Sequence, residues 1–202
     1  MSAPSIQTRK IASLAAIPIA FLLAGLFVWQ GSSAAFTAQT RNTGNSWETG
    51  SVSLTDDDIG AAAFQVVGAT PGQSGTRCIQ VTSTSSVPGV VKMYLARLGA
   101  DGLENNIKVT TEIGTGGSFG SCTNFVADVA PLPASTLAQA AATYFDYSTG
   151  ALAWATTGDA NGESKSYRVT WLFDTTGMTQ AQIDALQGKS ASADVVWELQ
   201  TD

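Results

Sequence analysis

The residue types that most enzymes use for acid–base and metal chemistry are scarce in this chain. It contains no histidine and only two cysteines, Cys78 and Cys122. The absence of histidine excludes a Ser-His-Asp triad, a Cys-His dyad and every histidine-based metal site. Two cysteines cannot make a four-cysteine zinc site. The sequence therefore predicts no catalytic residues and a protein that is not an enzyme.

The densest acidic run, Asp56, Asp57 and Asp58, is the one candidate metal site. Carboxylate oxygens are ligands that Ca²⁺ prefers. Successive residues of a strand point to opposite faces, so the three side chains cannot converge by themselves. The run also lacks the spaced ligands and the glycine of an EF-hand loop. We therefore expect a solvated strand end, and no cofactor other than the weak candidate Ca²⁺.

A glycine-rich loop and the tryptophans are better explained by structure than by ligand binding. Residues 114–120 lack the Lys-Ser/Thr pair of a phosphate-binding loop and predict a flexible turn. Trp171 and Trp197 lie in phase with the apolar faces of predicted strands, which places them in the core. The three tryptophans Trp154, Trp171 and Trp197 are the candidates for a sugar-binding platform, of which the pattern leaves Trp154 freer; Trp47 is also less constrained and could flank the N-terminal arm.

The charge balance disfavours nucleic acid as a partner. The chain has 10 basic and 16 acidic residues and a formal net charge of −6. Residues 36–202 alone carry 8 basic and 16 acidic residues. A surface this acidic repels phosphate backbones. We therefore expect no binding to DNA or RNA.

The N-terminal segment, residues 1–35, has the pattern of an export signal. Arg9 and Lys10 precede an uncharged, mostly apolar run over residues 11–29, and small residues follow. Cleavage after Ala35 would make Phe36 the first residue of the mature chain. The alternative is an uncleaved membrane anchor, since 19 residues approach the length that spans a bilayer. Either arrangement places the rest of the chain outside the cytoplasm, secreted or at the cell surface.

Export decides the expected state of the two cysteines. Outside the cytoplasm a Cys78–Cys122 disulfide is the default. By loop-closure entropy this bond stabilises the fold by about 3–4 kcal/mol. The alternative is two buried free thiols.

Short strands between polar or glycine-rich turns follow each other along the chain after residue 50. This pattern predicts an all-β fold, an antiparallel sandwich of Greek-key or jelly-roll form. Two alanine- or glutamine-containing segments, residues 135–144 and 179–186, predict short connecting helices capped by Ser135 and Thr179. The predicted strands are residues 51–55, 61–67, 77–82, 90–98, 107–113, 151–156, 167–173 and 194–199.

Several short motifs spread over most of the chain resemble the TasA/camelysin family of exported bacterial proteins. A Thr-Asp-Asp-Asp stretch ending at Asp58 and a Cys-Ile-x-Val-Thr strand beginning at Cys78 are similar to the actinobacterial branch of that family. The other motifs are Ser33-Ala34-Ala35-Phe36, Asn45-Ser46-Trp47, Gly50-Ser51-Val52-Ser53-Leu54, Pro71-Gly72, Val90 to Leu95, Gly188-Lys189-Ser190-Ala191 and Val195-Val196-Trp197-Glu198.

The resemblance implies a jelly-roll fold and a signal peptide that a dedicated signal peptidase cuts to leave a mature chain beginning with phenylalanine. Phe36 matches that position. TasA-type proteins form fibres of biofilm matrix, in which the N-terminal segment of one subunit completes the sheet of the next. Camelysins have been classed as metallopeptidases. This chain has no histidine and no H-E-x-x-H motif, so the sequence disfavours that activity.

Residues 36–49 form a polar arm ahead of the predicted sandwich, residues 50–202. If the arm is extended, Phe36, Ala38 and Thr40 share one face and can add to the open sheet edge of a neighbour. Such head-to-tail contacts do not close and therefore build a filament. The sequence thus predicts an exported fibre or surface-layer subunit whose partners are its own copies and a signal peptidase. Contact with a membrane is expected only through the N-terminal segment before cleavage. The alternatives are a disordered linker in place of the arm, and a monomeric or membrane-tethered surface module for binding or adhesion.

Overall fold

The computed structural model describes residues 37–39, 51–62 and 68–201, the first three by their backbone alone. These residues belong to one compact unit, Phe36–Asp202. The search for a helix long and apolar enough to cross a membrane finds none in the described part. Residues 1–36, with the predicted signal and its cleavage point between Ala35 and Phe36, lie outside the described residues, and so does Trp47.

Ten strands and two short α-helices make up the described fold. The strands are β1 (Thr37–Gln39), β2 (Leu54–Asp56), β3 (Ser74–Ser83), β4 (Gly89–Ala100), β5 (Ile107–Thr115), β6 (Val126–Ala127), β7 (Ser135–Thr136), β8 (Ala151–Thr156), β9 (Glu163–Phe173) and β10 (Ala191–Gln200). The α-helices are α1 (Leu137–Thr143) and α2 (Gln180–Asp184), and a 3₁₀ turn spans Leu103–Asn105.

The strands form two antiparallel sheets. The first has four strands in the order β1-β10-β4-β8. The second has the order β2-β3-β9-β5-β6, and β7 also pairs with β5. Every pairing between these strands is antiparallel, so the predicted all-β class is confirmed.

One core lies between the two sheets. On β9, the alternating residues Tyr167, Val169, Trp171 and Phe173 are all buried, as their spacing predicts. The shared core cluster takes residues from both sheets: Leu54, Ile79, Val81, Val91, Met93, Ile113, Trp154, Tyr167, Trp197 and Leu199. The sheets therefore pack face to face through the apolar positions of their strands.

Trp154 is a correction to the sequence interpretation. It was expected to be freer than Trp171 and Trp197, but it is 8% exposed and belongs to the core. The reason is its register position: Trp154 stands opposite Val91, a fully buried core residue near the start of the neighbouring strand β4. A sugar-binding role for Trp154 is therefore not available in this fold.

Both predicted helices exist but are shorter than expected. Helix α1 begins at Leu137 because Thr136, not Ser135, caps it: Gln139 N–H donates to Thr136 Oγ1 at 3.2 Å, and Thr136 N–H donates to Gln139 Oε1 at 3.0 Å. This reciprocal pair is a capping box. Ser135 belongs instead to β7, opposite Val109.

The early strands are placed less accurately by the sequence. The strand predicted over residues 51–55 is β2, which begins three residues later at Leu54. Ala61 and Ala62 lie outside the strands, and the rest of the strand predicted over residues 61–67 falls outside the described residues. Both differences lie in a segment where the alternation is short and polar residues interrupt it.

Candidate assembly site

Residues 37–39 of the N-terminal arm lie on the edge of the four-stranded sheet. Strand β1 pairs with the end of β10, with Thr37 opposite Gln200, Ala38 opposite Leu199 and Gln39 opposite Glu198. Of the three residues predicted to form the inserted strand, Ala38 is in β1, whereas Phe36 and Thr40 lie outside the described residues. The structure therefore shows an arm residue already paired with a sheet edge, within its own chain.

The two faces of β10 at this edge differ in chemistry. Leu199 and Trp197 point into the core, where they are 0% and 2% exposed. Glu198, between them, points to the other face and yet is buried. Ala38 stands in register with the apolar position, and Gln39 stands in register with the carboxylate. The edge thus offers an apolar and a polar register position to an incoming strand.

A small hydrogen-bonded cluster holds the buried carboxylate of Glu198. The Tyr94 hydroxyl donates to Glu198 Oε2 at 2.8 Å, and Gln200 Nε2 donates to Glu198 Oε1 at 2.9 Å. Lys92 stands opposite Glu198 in the β4–β10 register, and its amine lies 4.7 Å from the centre of the Tyr147 ring. Burying a carboxylate is costly unless it is hydrogen-bonded in this way. The cluster therefore holds the carboxylate on the polar side of the edge where β1 pairs.

The described residues of strand β1 pair with only one end of the β10 edge. They pair with residues 198–200 of β10, while β4 pairs with β10 along nearly its whole length on the other side. Within the described part of the chain, no strand pairs with residues 191–197 on the β1 side. Unpaired backbone groups along a strand edge are a template for pairing with another chain.

The disulfide predicted from the sequence is present. Cys78 and Cys122 are joined, with their Cα atoms 5.2 Å apart. Cys78 is fully buried, although it lies on the outer face of β3, because the loop that carries Cys122 covers it. A Cβ on Gly117 would lie 3.2 Å from both Cβ and Sγ of Cys78, so a glycine allows the loop to approach this closely.

The glycine-rich loop over residues 114–120, predicted to be a flexible turn, is tied down at several points. Besides the disulfide, Arg77 Nη1 donates to the carbonyl of Gly120 at 3.2 Å. Phe119 packs against the core cluster, and its N–H donates to Asp57 Oδ2 at 2.6 Å. The loop is therefore part of the outer layer of the second sheet.

The acidic run was expected to be a solvated strand end, but the carboxylate of Asp57 is hydrogen-bonded to two backbone N–H groups. Its other oxygen accepts the Gln80 N–H at 2.8 Å, so the carboxylate joins β3 to the loop. Asp58 Oδ1 accepts the Gly60 N–H at 2.6 Å, which fixes the turn after β2, and Asp56 lies at the end of that strand. Among the described residues, no group of three or more His, Cys, Asp or Glu side chains is placed to hold a metal ion.

Known proteins give no guide to the role of the β1–β10 edge. The chain matches no protein-family model, and a search of curated proteins finds no significant relative. What the arrangement offers chemically is backbone pairing at a sheet edge, next to the hydrogen-bonded carboxylate of Glu198.

Hydrogen bonds to nearby turn residues hold two carboxylates, Asp146 and Glu163, in their ionised form. The hydroxyl of Ser148 and the backbone and hydroxyl of Thr149 lower the pKa of Asp146 below its usual value. The Thr157 N–H lowers the pKa of Glu163, whose oxygens it reaches at 2.8 and 2.9 Å. Each bond favours the ionised form, because only the carboxylate accepts at both oxygens.

Asp174 carries the strongest of these effects. Lys108 and then Thr176 hold its pKa far below the usual range. A group with a lowered folded-state pKa contributes stability that is complete above the unfolded-state pKa and lost as the pH falls toward the folded-state value. We expect the free energy of unfolding, measured in urea, to decline below about pH 4 in the wild type and less steeply in Asp174→Asn.

Asp101→Asn is the matched control for Asp174→Asn. Asp101 pairs with Lys189 at 3.3 Å, but its side chain is 54% exposed, against 13% for Asp174. Exposed ion pairs contribute little to stability. The same pH dependence in the Asp174→Asn variant as in the wild type would contradict the assignment to Asp174.

Proposed function

We propose that this protein is an exported structural subunit that assembles head to tail into extracellular fibres or a surface layer, as the matrix proteins that it resembles do. Its two sheets would form a jelly roll, and its N-terminal strand would complete the sheet of the next subunit. The observation that carries the proposal is the pairing of Thr37–Gln39 with the end of β10. That pairing supports β10 as an edge that accepts a strand of this sequence.

The exchange of arms between copies needs no new contact. The edge of β10 that receives the arm of its own chain can receive the same residues from a neighbour, with the same register. Such an exchange of arms between copies is domain swapping by strand addition, and in a head-to-tail arrangement the chain of subunits continues without closing. Among the described residues the arm pairs with β10 over Thr37–Gln39, and this three-residue pairing is what has to open before these residues can leave their own chain.

The disulfide supports the extracellular part of the proposal. Disulfides persist in oxidising compartments and are rare in the cytosol. The Cys78–Cys122 bond lies under a tied loop with Cys78 fully buried, which is the arrangement of a structural bond and not of an exposed redox pair. The proposed subunit is therefore an exported domain, cross-linked by its disulfide, with an N-terminal arm that exchanges between copies.

A second candidate is a monomeric or membrane-tethered surface module for binding or adhesion. The observation that favours it is the same strand, since β1 pairs with residues 198–200 of β10 within its own chain, without a partner. The two candidates differ in whether the arm exchanges between chains.

Negative-stain electron microscopy of residues 36–202, compared with residues 50–202, tests the proposal. We expect filaments from the longer form and dispersed particles from the shorter form, because the shorter form lacks β1. Circular dichroism of both forms checks that the sheets are intact. Dispersed particles from both forms would favour the monomeric module.

A further inference from the structure

Strand β10 carries two acidic side chains, and the second of them lies where the arm pairs. Asp194 is exposed, and its carboxylate lies 3.5 Å from the guanidinium of Arg97. Glu198 is only 5% exposed, and it stands opposite Gln39 of β1. Glutamate is almost never this buried unless partners compensate its charge. A buried carboxylate at this position of the edge therefore calls for a reason.

The contacts of Glu198 define it as a hydrogen-bond acceptor. The Tyr94 hydroxyl donates to one carboxylate oxygen, and Gln200 Nε2 donates to the other. A carboxylate accepts at both oxygens and donates no hydrogen bond. Lys92 holds the opposite register position on β4, on the side of β10 away from β1. A side chain opposite Glu198 on the β1 side is therefore favoured if it donates and disfavoured if it only accepts.

The arm has a glutamine at that register position. Directly opposed residues of antiparallel strands share a face, with Cβ atoms about 4.5–5.5 Å apart. Gln39 is the residue opposite Glu198, and an amide supplies two N–H donors. A glutamate of nearly the same size would place a second carboxylate there, and like charges directly opposite each other destabilise a strand pair. Charge, and not size, distinguishes the two residues at this position.

We propose that Glu198 selects the strand that adds to the edge of β10. It admits a strand with a hydrogen-bond donor opposite it and rejects a strand with a carboxylate there. The segment that fits is apolar opposite Leu199 and carries a donor opposite Glu198, as Ala38 and Gln39 do. For the arm of the same chain the selection needs no assembly, whereas for the arm of a second copy it rests on the proposed function.

The composition of the chain gives such a selection a purpose. The chain has 16 acidic residues, and none of them lies in residues 36–47. An open strand edge pairs through backbone hydrogen bonds, which are the same for every sequence, so side chains must supply the discrimination. A buried carboxylate at the edge disfavours acidic segments of other copies and leaves the arm as the preferred strand. This is specificity by rejection of the wrong partner.

Hydrogen exchange of residues 37–39 tests the selection within one chain. The residue 36–202 form is measured at a concentration where sedimentation shows only monomer. In Gln39→Glu we expect these amides to exchange about tenfold faster or more than in the wild type, because the second carboxylate opens the pair. Gln39→Lys, of similar length and opposite charge, is expected to keep the wild-type rate or to lower it. The matched control Gln187→Glu adds the same charge at an exposed residue after helix α2 and is expected to change nothing.

A change at the second position shows whether Glu198 is the residue that selects. In Gln39→Glu/Glu198→Gln the carboxylate and the amide change places, and we expect the exchange rate to return close to that of the wild type. An unprotected arm in the wild type, equal rates in Gln39→Glu and Gln39→Lys, or no recovery in a folded double variant would each overturn the proposal. Circular dichroism checks the fold, and if Glu198→Gln unfolds the sheet, the comparison of Gln39→Glu with Gln39→Lys still decides.

Electron microscopy of the same variants separates this inference from the proposed function. We expect filaments from the wild type and Gln39→Lys and none from Gln39→Glu. Equal filaments and equal exchange rates in all three would overturn the selection and leave the fibre proposal standing. Exchange rates that follow the charge at residue 39, without filaments in any variant, would overturn the fibre proposal and leave the selection standing.

Discussion

The variant Thr37→Cys/Gln200→Cys is expected to form no filaments when it is oxidised. Thr37 and Gln200 stand opposite each other in the β1–β10 register. Directly opposed residues of antiparallel strands have Cα atoms about 4.5–5.5 Å apart, within the range that a disulfide bridges. The engineered bond would hold the arm on its own chain. If fibres form by exchange of arms, this lock removes the donor strand and the acceptor edge at once.

Reduction of the engineered bond is expected to restore assembly. Cys78 is fully buried, so a low concentration of reductant reaches the engineered bond first and leaves the native disulfide closed. Thr37→Ser/Gln200→Ser, taken through the same oxidation and reduction, controls for the substitutions and is expected to form filaments throughout. Electron microscopy and a thiol count at each stage give the readout. Filaments of the fully oxidised, locked protein would show that the arm need not leave its own chain.

The class of fold follows from local patterns in the sequence. The apolar alternation of Tyr167, Val169, Trp171 and Phe173 identifies one face of β9, and all four residues are buried. Alternation is a property of neighbouring residues, so a single sequence reveals it. The strand predicted over residues 151–156 is β8, Ala151–Thr156.

The order of the strands is not a local property, and the site residues that depend on it could not be predicted. The alternation in β10 places Trp197 and Leu199 on the apolar face and does not indicate the surroundings of Glu198. It is buried because the neighbouring strand brings the hydroxyl of Tyr94, 104 residues earlier in the chain, to 2.8 Å from its carboxylate. Asp57 is a similar case, since its partner Phe119 is 62 residues away.

Loss of the native disulfide is expected to have the largest effect on stability. The bond closes a separation of 44 residues, and loop-closure entropy gives it about 3–4 kcal/mol. A domain of this size has a total stability of about 5–15 kcal/mol, so the bond supplies a substantial share. We expect the Cys78→Ala/Cys122→Ala variant to unfold at a clearly lower urea concentration than the wild type.

The reduced wild type separates the cross-link from the packing of the sulfur atoms. It keeps both cysteine side chains and loses only the covalent link, whereas the double variant also loses the contacts of the buried Cys78 beneath Gly117. We expect the two to differ by less than either differs from the oxidised protein. A loss below about 1 kcal/mol in both would contradict a stabilising role for the bond.

The fold is nevertheless expected to survive without the bond, with the damage concentrated in the loop. Strand β3 keeps its ten-residue pairing with β9, and Asp57 still accepts the N–H groups of Gln80 and Phe119. Hydrogen exchange should therefore rise over residues 116–125 and stay slow in β3 and β9. A subunit that depends on its disulfide in this way reaches full stability only in an oxidising compartment, where the proposed fibres would form. The same variant therefore tests whether assembly requires the fastened loop or only the arm and the edge of β10.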